Sequence, residues 1–260
     1  MSQRILVWDV PTRVFHWLLV LSFAGAFLTA ESERNRDIHV VLGYTLLGLI
    51  AFRLLWGFFG TRYAQFRSFL FKPGEIVAYV RSLFKGKPAH YVGHNPAGSV
   101  AIWLLLGLGI STAATGLMSF QDIGGDVVKE LHEFVSNAML AVVLIHIAGV
   151  AVSSLMHREN LVRAMVTGFK SAEQNGHGIY ASTNNETHYA RFPHPNPLPK
   201  GEGANESLRE SHANEGIRRS YLWLGVIILS TVVAFWVAYP ATGLVTPGAD
   251  ATHAEQHDDD

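Results

Sequence analysis

Within "LHEFVSNAMLAVVLIHIAG", Leu131 to Gly149, His132 and His146 lie fourteen residues apart in an otherwise apolar run. Fourteen residues advance about 21 Å along an α-helix and close nearly four whole turns, so both imidazoles project from one stripe at two depths. An ionisable side chain inside such a run is costly without a partner, which makes each a candidate functional group. Two other histidines stand at matching positions. His16 lies three residues past Arg13, at the start of the run Val14 to Ala30, and His39 lies two past Asp37, at the start of the run Ile38 to Phe52. His39 shares the depth of His132, and His16 shares the side of His146.

Neutral imidazoles that face one another across a helical bundle suit bis-histidine haem ligation. Zinc suits them less well, because the spacing supplies no further Asp, Glu or Cys to complete four ligands. Gly43, four residues after His39, and Gly149, three after His146, fall on the histidines' own faces. Each leaves room for a flat macrocycle, or serves the close packing that small residues give membrane helices. Arg13 and Arg158 on one side, and Arg34, Arg36 and Lys129 on the other, are candidate partners for acidic cofactor groups. Trp17, Trp56 and Trp103 read as belt or packing residues. Of the remaining histidines, His90, His94 and His157 sit at span borders. His177, His188, His194, His212, His253 and His257 read as solvated.

The elements that must position these groups follow from composition. Of 260 residues, 49% are hydrophobic and only 16% charged, with a mean hydropathy of +0.20. The three longest runs free of Asp, Glu, Lys and Arg are Asn95 to Gln121, Phe134 to Met156 and Ser220 to Gly248. These have the ~20 residues that cross a bilayer as helix. The run from Val14 is a little short, and that from Ile38 spans if Arg53 snorkels. Lipid admits only helices and closed barrels, so the pattern predicts an all-α transmembrane four-helix bundle with a fifth C-terminal transmembrane helix. His146 can meet His16 only if span four extends past the border or tilts. Asp9 and the length of the first run argue against a cleaved signal peptide. The absence of cysteine excludes disulfides, Cys-ligated clusters and C-x-x-C-H haem attachment. A net charge of −1 offers no nucleic-acid footprint.

Arginine and lysine crowd the segment from Arg53 to Lys87 and follow span four at Arg158, Arg163 and Lys170, which predicts a cytoplasmic N-terminus. In "KPGEIVAYVRSLFKGKP", the stripe Ile76, Val77, Val80, Leu83 and Phe84 predicts a helix at the cytoplasmic interface, ended by Gly86 and Pro88. The polar composition of residues 171–218 predicts a disordered cytoplasmic linker. Within it "PHPNPLPKGEG" resembles a peptide encoded by interspersed repeat DNA of bacterial genomes. An extra transmembrane helix at 219–240 and an acidic periplasmic tail at 241–260 complete the chain.

Five segments carry a resemblance: "VWDVPTRVFHWLLVLSFAGAFLT", "HVVLGYTLLGLIAFRLLWGFFGTRYAQF", "GHNPAGS", "ELHEFVSNAMLAVVLIHIAGV" and "HRENLVRAMVTG". They resemble the bacterial cytochrome b561 family, which includes the b-type cytochrome subunit of nickel–iron hydrogenase. The resemblance covers roughly residues 5 to 170. It implies four core helices, two haems b as cofactors and electron transfer across the membrane, with axial-ligand roles for His16, His39, His132 and His146. Residues 1–170 are then the di-haem domain.

The expected function is electron carriage in the bacterial inner membrane, between quinone or quinol and a periplasmic c-type cytochrome or hydrogenase, as subunit or partner of an oxidoreductase. Lipid is the remaining expected partner. One rival is a quinone reductase that oxidises superoxide at the outer face, which a basic funnel there would support. The other is a haem-free transporter or scaffold with structural histidines.

Overall fold

The computed structural model describes residues 3–86, 91–172 and 216–241. The predicted linker lies outside them from residue 173 to 215, and the acidic tail from 242 onward. The helices are α1 (Val10–Thr29), α2 (Arg36–Phe59), α3 (Pro73–Phe84), α4 (Pro96–Phe120), α5 (Gly125–His157), α6 (Leu161–Thr167) and α7 (Leu222–Ala238). Five stretches of described residues are long and apolar enough to cross a membrane: Val10–Thr29, Glu33–Phe59, Pro96–Phe120, Gly125–His157 and Leu222–Ala241. This is the all-α transmembrane architecture that the apolar runs predict. At 33 residues, α5 is about 50 Å long, well beyond one bilayer crossing.

The starts of the helices are legible in their caps. Asp9 precedes α1, and its Oδ1 accepts from the Thr12 N–H at 2.7 Å. Asn95 caps α4 by accepting from the Gly98 N–H at 2.6 Å, with Pro96 as the first helical residue. Glu75 reaches back from α3 to the Lys72 N–H at 2.8 Å. Along α3 the packed residues are Ile76, buried Tyr79, Val80 and Leu83, whereas Val77 and Phe84 are exposed.

The chain divides into two compact units, and α1, α2, α4, α5 and α7 each contribute to both. The first comprises Met1–Arg13, Leu54–Trp103 and Leu144–Gly225. Here the all-α expectation needs an addition. Strand β1 (Gln3–Leu6) pairs antiparallel with β2 (Phe169–Ala172), Leu6 opposite Phe169. Ile5, Val7, Trp8, Tyr63 and Ala164 form the core beside this ribbon. The Val7 and Trp8 N–H groups donate to the Gly168 carbonyl, and Arg13 donates to the Val166 carbonyl at 2.6 Å. Gly168 ends α6 at φ +88°, and a Cβ there would stand 2.7 Å from the Trp8 carbonyl oxygen, so only glycine fits. The segment before α7 joins the same unit, with the Ile217 N–H donating to the Leu6 carbonyl and the Val10 N–H to the Ser220 carbonyl.

The second unit comprises Val14–Arg53, Leu104–Val143 and Val226–Asp260. Phe23, Leu46 and Met139, from α1, α2 and α5, form its core, with Leu105 and Leu108 of α4 packed against them. Small residues permit the close approaches. A Cβ at Gly25 would stand 2.7 Å from Leu42, and one at Gly109 3.1 Å from Ile50. Helix α7 docks on α2 through the Trp236 indole N–H, which donates to the Thr45 hydroxyl at 2.9 Å.

Candidate functional site

The second unit brings two of the four histidines together. His39 from the first turn of α2 and His132 from α5 face each other with ring centroids 6.2 Å apart and planes at 86°. Each ring is held by a backbone carbonyl of a neighbouring helix. The Nδ1 of His39 lies 2.8 Å from the Ala26 carbonyl oxygen, and that of His132 lies 3.1 Å from the Thr112 carbonyl oxygen. A carbonyl can only accept, so the proton of each neutral ring sits on Nδ1 and the lone pair on Nε2.

Both rings line a cavity of about 310 Å³. Phe23, Phe27, Leu46, Leu47 and Leu117 give it apolar walls, and its charged lining residues are Glu31 and Glu133. Gly43 opens onto it, and an added Cβ there would meet nothing within 4 Å. Gly116 of α4 backs His132 so closely that a Cβ would come within 2.9 Å of its Cε1. Two buried hydroxyls on the lining, of Thr112 and Ser136, have no hydrogen-bond partner.

These features fit a bis-histidine haem. Metal–imidazole nitrogen bonds are about 2 Å long, so rings on opposite sides of one ion have centroids about 6 Å apart. Both Nε2 lone pairs are available, the walls are apolar, and glycine leaves the space a macrocycle requires. Among the described residues, no group of three or more His, Cys, Asp or Glu is placed to hold a metal. Two histidines suffice where a macrocycle supplies the other donors, and are too few for a protein-only zinc site.

The other predicted site residues fall as follows. His16 belongs to the second unit, where its ring packs edge-on against Trp17 at 5.4 Å. His146 and the exposed Gly149 belong to the first unit, and a Cβ on Gly149 would meet nothing within 4 Å. Arg13 is engaged with Val166, and Lys129 lies 3.5 Å from Asp126 and 4.0 Å from Asp122. Trp103 stacks on Phe66 at 5.1 Å, and Trp56 donates to Asp9. His94 packs between Trp8 and Phe69 in the first unit, with centroids at 4.7 and 4.9 Å. His90 and the six linker and tail histidines lie outside the described residues.

Sequence reasoning missed the contribution of α4. Thr112, Thr115 and Gly116 all touch or line the site, yet the helix carries no histidine and offers no residue type that announces a ligand. Asp9 was also missed. It is fully buried, and its Oδ2 accepts from the Trp56 indole and the Thr61 hydroxyl while Oδ1 caps α1.

The family model for prokaryotic cytochrome b561 matches residues 7–168. The chain belongs to the prokaryotic cytochrome b561 family. It is similar to a probable Ni/Fe-hydrogenase B-type cytochrome subunit of Rhizobium leguminosarum bv. viciae, with 23% identity over 66% of this chain and 92% of the relative. Proteins of the same description in Azotobacter chroococcum mcd 1 and Cupriavidus necator are 24% and 22% identical, over 65% and 64% of this chain and 89% and 86% of theirs. No solved structure matches the chain. This cytochrome is thus a multi-pass membrane protein of the b type, which works in electron transfer with haem b as its cofactor.

Proposed function

We propose that this b561-family cytochrome carries electrons between the quinone pool and a periplasmic redox partner by way of two haems b. His39 and His132 would hold one haem, and His16 and His146 the other. The observation that carries this reading is the pair of imidazoles facing across the cavity, each with Nδ1 turned to a helix carbonyl. Haem supplies reversible one-electron chemistry when bound. The chain supplies the ligands, a dry apolar wall, and bonds that fix each ring's orientation and tautomer. Gly43 leaves space for one macrocycle and Gly149 for the other. Arg13 stands three residues from His16 as a candidate partner for acidic haem groups. Relatives described as hydrogenase subunits favour a hydrogenase as partner over a c-type cytochrome.

Residues 1–170 form the di-haem domain in this reading, and residues 219–240 an added transmembrane helix. Localisation to the inner membrane with a cytoplasmic N-terminus rests on charge. Among the described residues of the first unit, Arg4, Arg62, Arg67, Lys72, Arg81, Lys85, Arg158 and Arg163 outnumber Asp9, Glu75 and Glu159, whereas in the second Glu31, Glu33, Asp37, Asp122, Asp126, Glu130 and Glu133 outnumber Arg34, Arg36, Arg53 and Lys129. Basic residues favour the cytoplasmic side. The acidic charge on the cavity lining also disfavours an anionic reductant such as superoxide.

The test is haem stoichiometry of the purified full-length protein against four single His→Ala variants, read by reduced-minus-oxidised absorption spectra. Two haems per chain in the wild type and one in each variant are expected. A colourless wild type ends the redox reading, and loss of both haems from every variant ends the pairing.

A further inference from the structure

The two facing histidines are not held alike. His39 has one acceptor at Nδ1, the Ala26 carbonyl. His132 has two, the Thr112 carbonyl at 3.1 Å and the Thr115 hydroxyl at 3.2 Å. The Thr115 hydroxyl proton is committed elsewhere, since it donates to the Ser111 carbonyl at 2.8 Å. Toward His132 that oxygen therefore acts as an acceptor. The Nδ1–H of His132 is shared between two oxygens one turn apart on α4. Thr115 is buried, and Gly116 seats the ring against the same helix. Water does not compete for the bond, and the ring has little freedom to turn away.

An imidazole whose far N–H is drawn toward acceptors is a stronger donor at Nε2. A stronger donor favours the oxidised state of the metal it holds, so hydrogen bonding around an axial ligand is a lever on potential. We propose that Thr115 is a positioning residue that fixes the orientation and tautomer of His132 and lowers the reduction potential of the haem this histidine would hold. Helix α4, which provides no ligand, then acts on this haem through its hydrogen bonds to His132. The proposal rests on the assignment of His132 as a ligand.

The experiment is spectroelectrochemical titration of the full-length protein as wild type, Thr115→Val and Thr115→Ser, with the ferric electron paramagnetic resonance spectrum recorded for each. Thr115→Val should retain both haems and raise one midpoint by up to about tenfold in the iron redox equilibrium, about 59 mV for one electron. The other midpoint should stay in place, and Thr115→Ser should return the shifted one to the wild-type value. Unchanged midpoints and an unchanged ferric spectrum in Thr115→Val overturn the proposal, as does a serine variant that behaves like valine. If Thr115→Val does not accumulate, Gly116→Ala serves instead, because its methyl group pushes the His132 ring off α4. The same midpoint should rise, and a wild-type value there overturns the proposal. A wild-type protein without haem would remove the ligand assignment itself, an outcome distinct from haems present with potentials indifferent to Thr115.

Discussion

Asp9 in the first unit and the cavity in the second are both places where polar groups are buried among apolar ones, and they are finished differently. Around Asp9 the hydrogen bonding closes on itself. One oxygen caps α1 and the other accepts from Trp56 and Thr61, so both oxygens of the carboxylate are occupied. Around His39 and His132 the bonding closes only on the outward side, at Nδ1. Beside the rings a space of about 310 Å³ is open, and two residues of its lining, Thr112 and Ser136, carry buried hydroxyls without a partner. Buried polar groups cost free energy unless paired. A closed set therefore marks a structural joint, and an open set around a cavity marks a place for a group from outside the chain.

The largest effect that separates the two is loss of cofactor. His132→Ala should abolish one of the two proposed haems, with little change in the fold, since the ring borders a cavity and is held by a carbonyl and a hydroxyl of α4. Next is Asp9→Leu, which should leave haem chemistry at His39 and His132 intact but cost about 3–5 kcal/mol of stability. It strands three donors in an apolar interior, each worth roughly 1–3 kcal/mol when unpaired. Thermal unfolding in detergent, followed by helical ellipticity and haem absorbance together, checks both. If Asp9→Leu removed the second unit's haem at unchanged stability, the joint would be part of the site and the distinction would fail.

These places also differed in how far they could be read from sequence. His39 and His132 announce themselves because histidine is rare inside apolar runs and the helical repeat fixes relative depth. Their supports do not. Gly116 and Thr115 sit in a run where glycine and threonine are ordinary, and only packing shows that one backs a ring and the other bonds it. Asp9 offered an argument against a signal peptide and nothing more, since Trp56 and Thr61 lie 47 and 52 residues away. The β1–β2 ribbon escaped for the same reason. Its strands are four residues each, at opposite ends of the family domain, and neither alternates strongly enough to be seen alone.

A second joint in the first unit tests whether closure is worth its charges. Lys170 and Glu159 pair at 3.6 Å, with side chains only 6% and 14% exposed. Burial holds the Lys170 ammonium below the usual lysine range, against the pull of Glu159. The unfolded chain then keeps this proton to higher pH than the folded one, so the group makes stability rise with pH across the alkaline interval between the two values. Lys170→Met should flatten that rise. At neutral pH it should cost about 3 kcal/mol by removing the cation 3.6 Å from the buried Glu159, and Glu159→Leu added to it should recover most of the loss. A single variant as stable as wild type would show that the pair is solvated in practice.

The smallest effect concerns α7, which lies beyond the matched family segment and yet is tied to α2 within the second unit by a defined bond. The Thr45 hydroxyl accepts from Trp236 and donates to the Val41 carbonyl at 2.8 Å, so the interaction is anchored at both ends. Trp236→Phe keeps an aromatic ring and removes the donor, which should cost about 1 kcal/mol. Thr45→Val should cost a similar amount, and the double variant little more than either, because both remove the same bond. Thr45 follows Tyr44, which lines the cavity, and precedes Leu46, which lines it too. A docked α7 therefore restrains the stretch of α2 that forms one wall, and the haem of the second unit should dissociate faster from either single variant than from the wild type. Additive losses in the double variant, with haem release unchanged, would make α7 a neighbour of the bundle without a hold on its site.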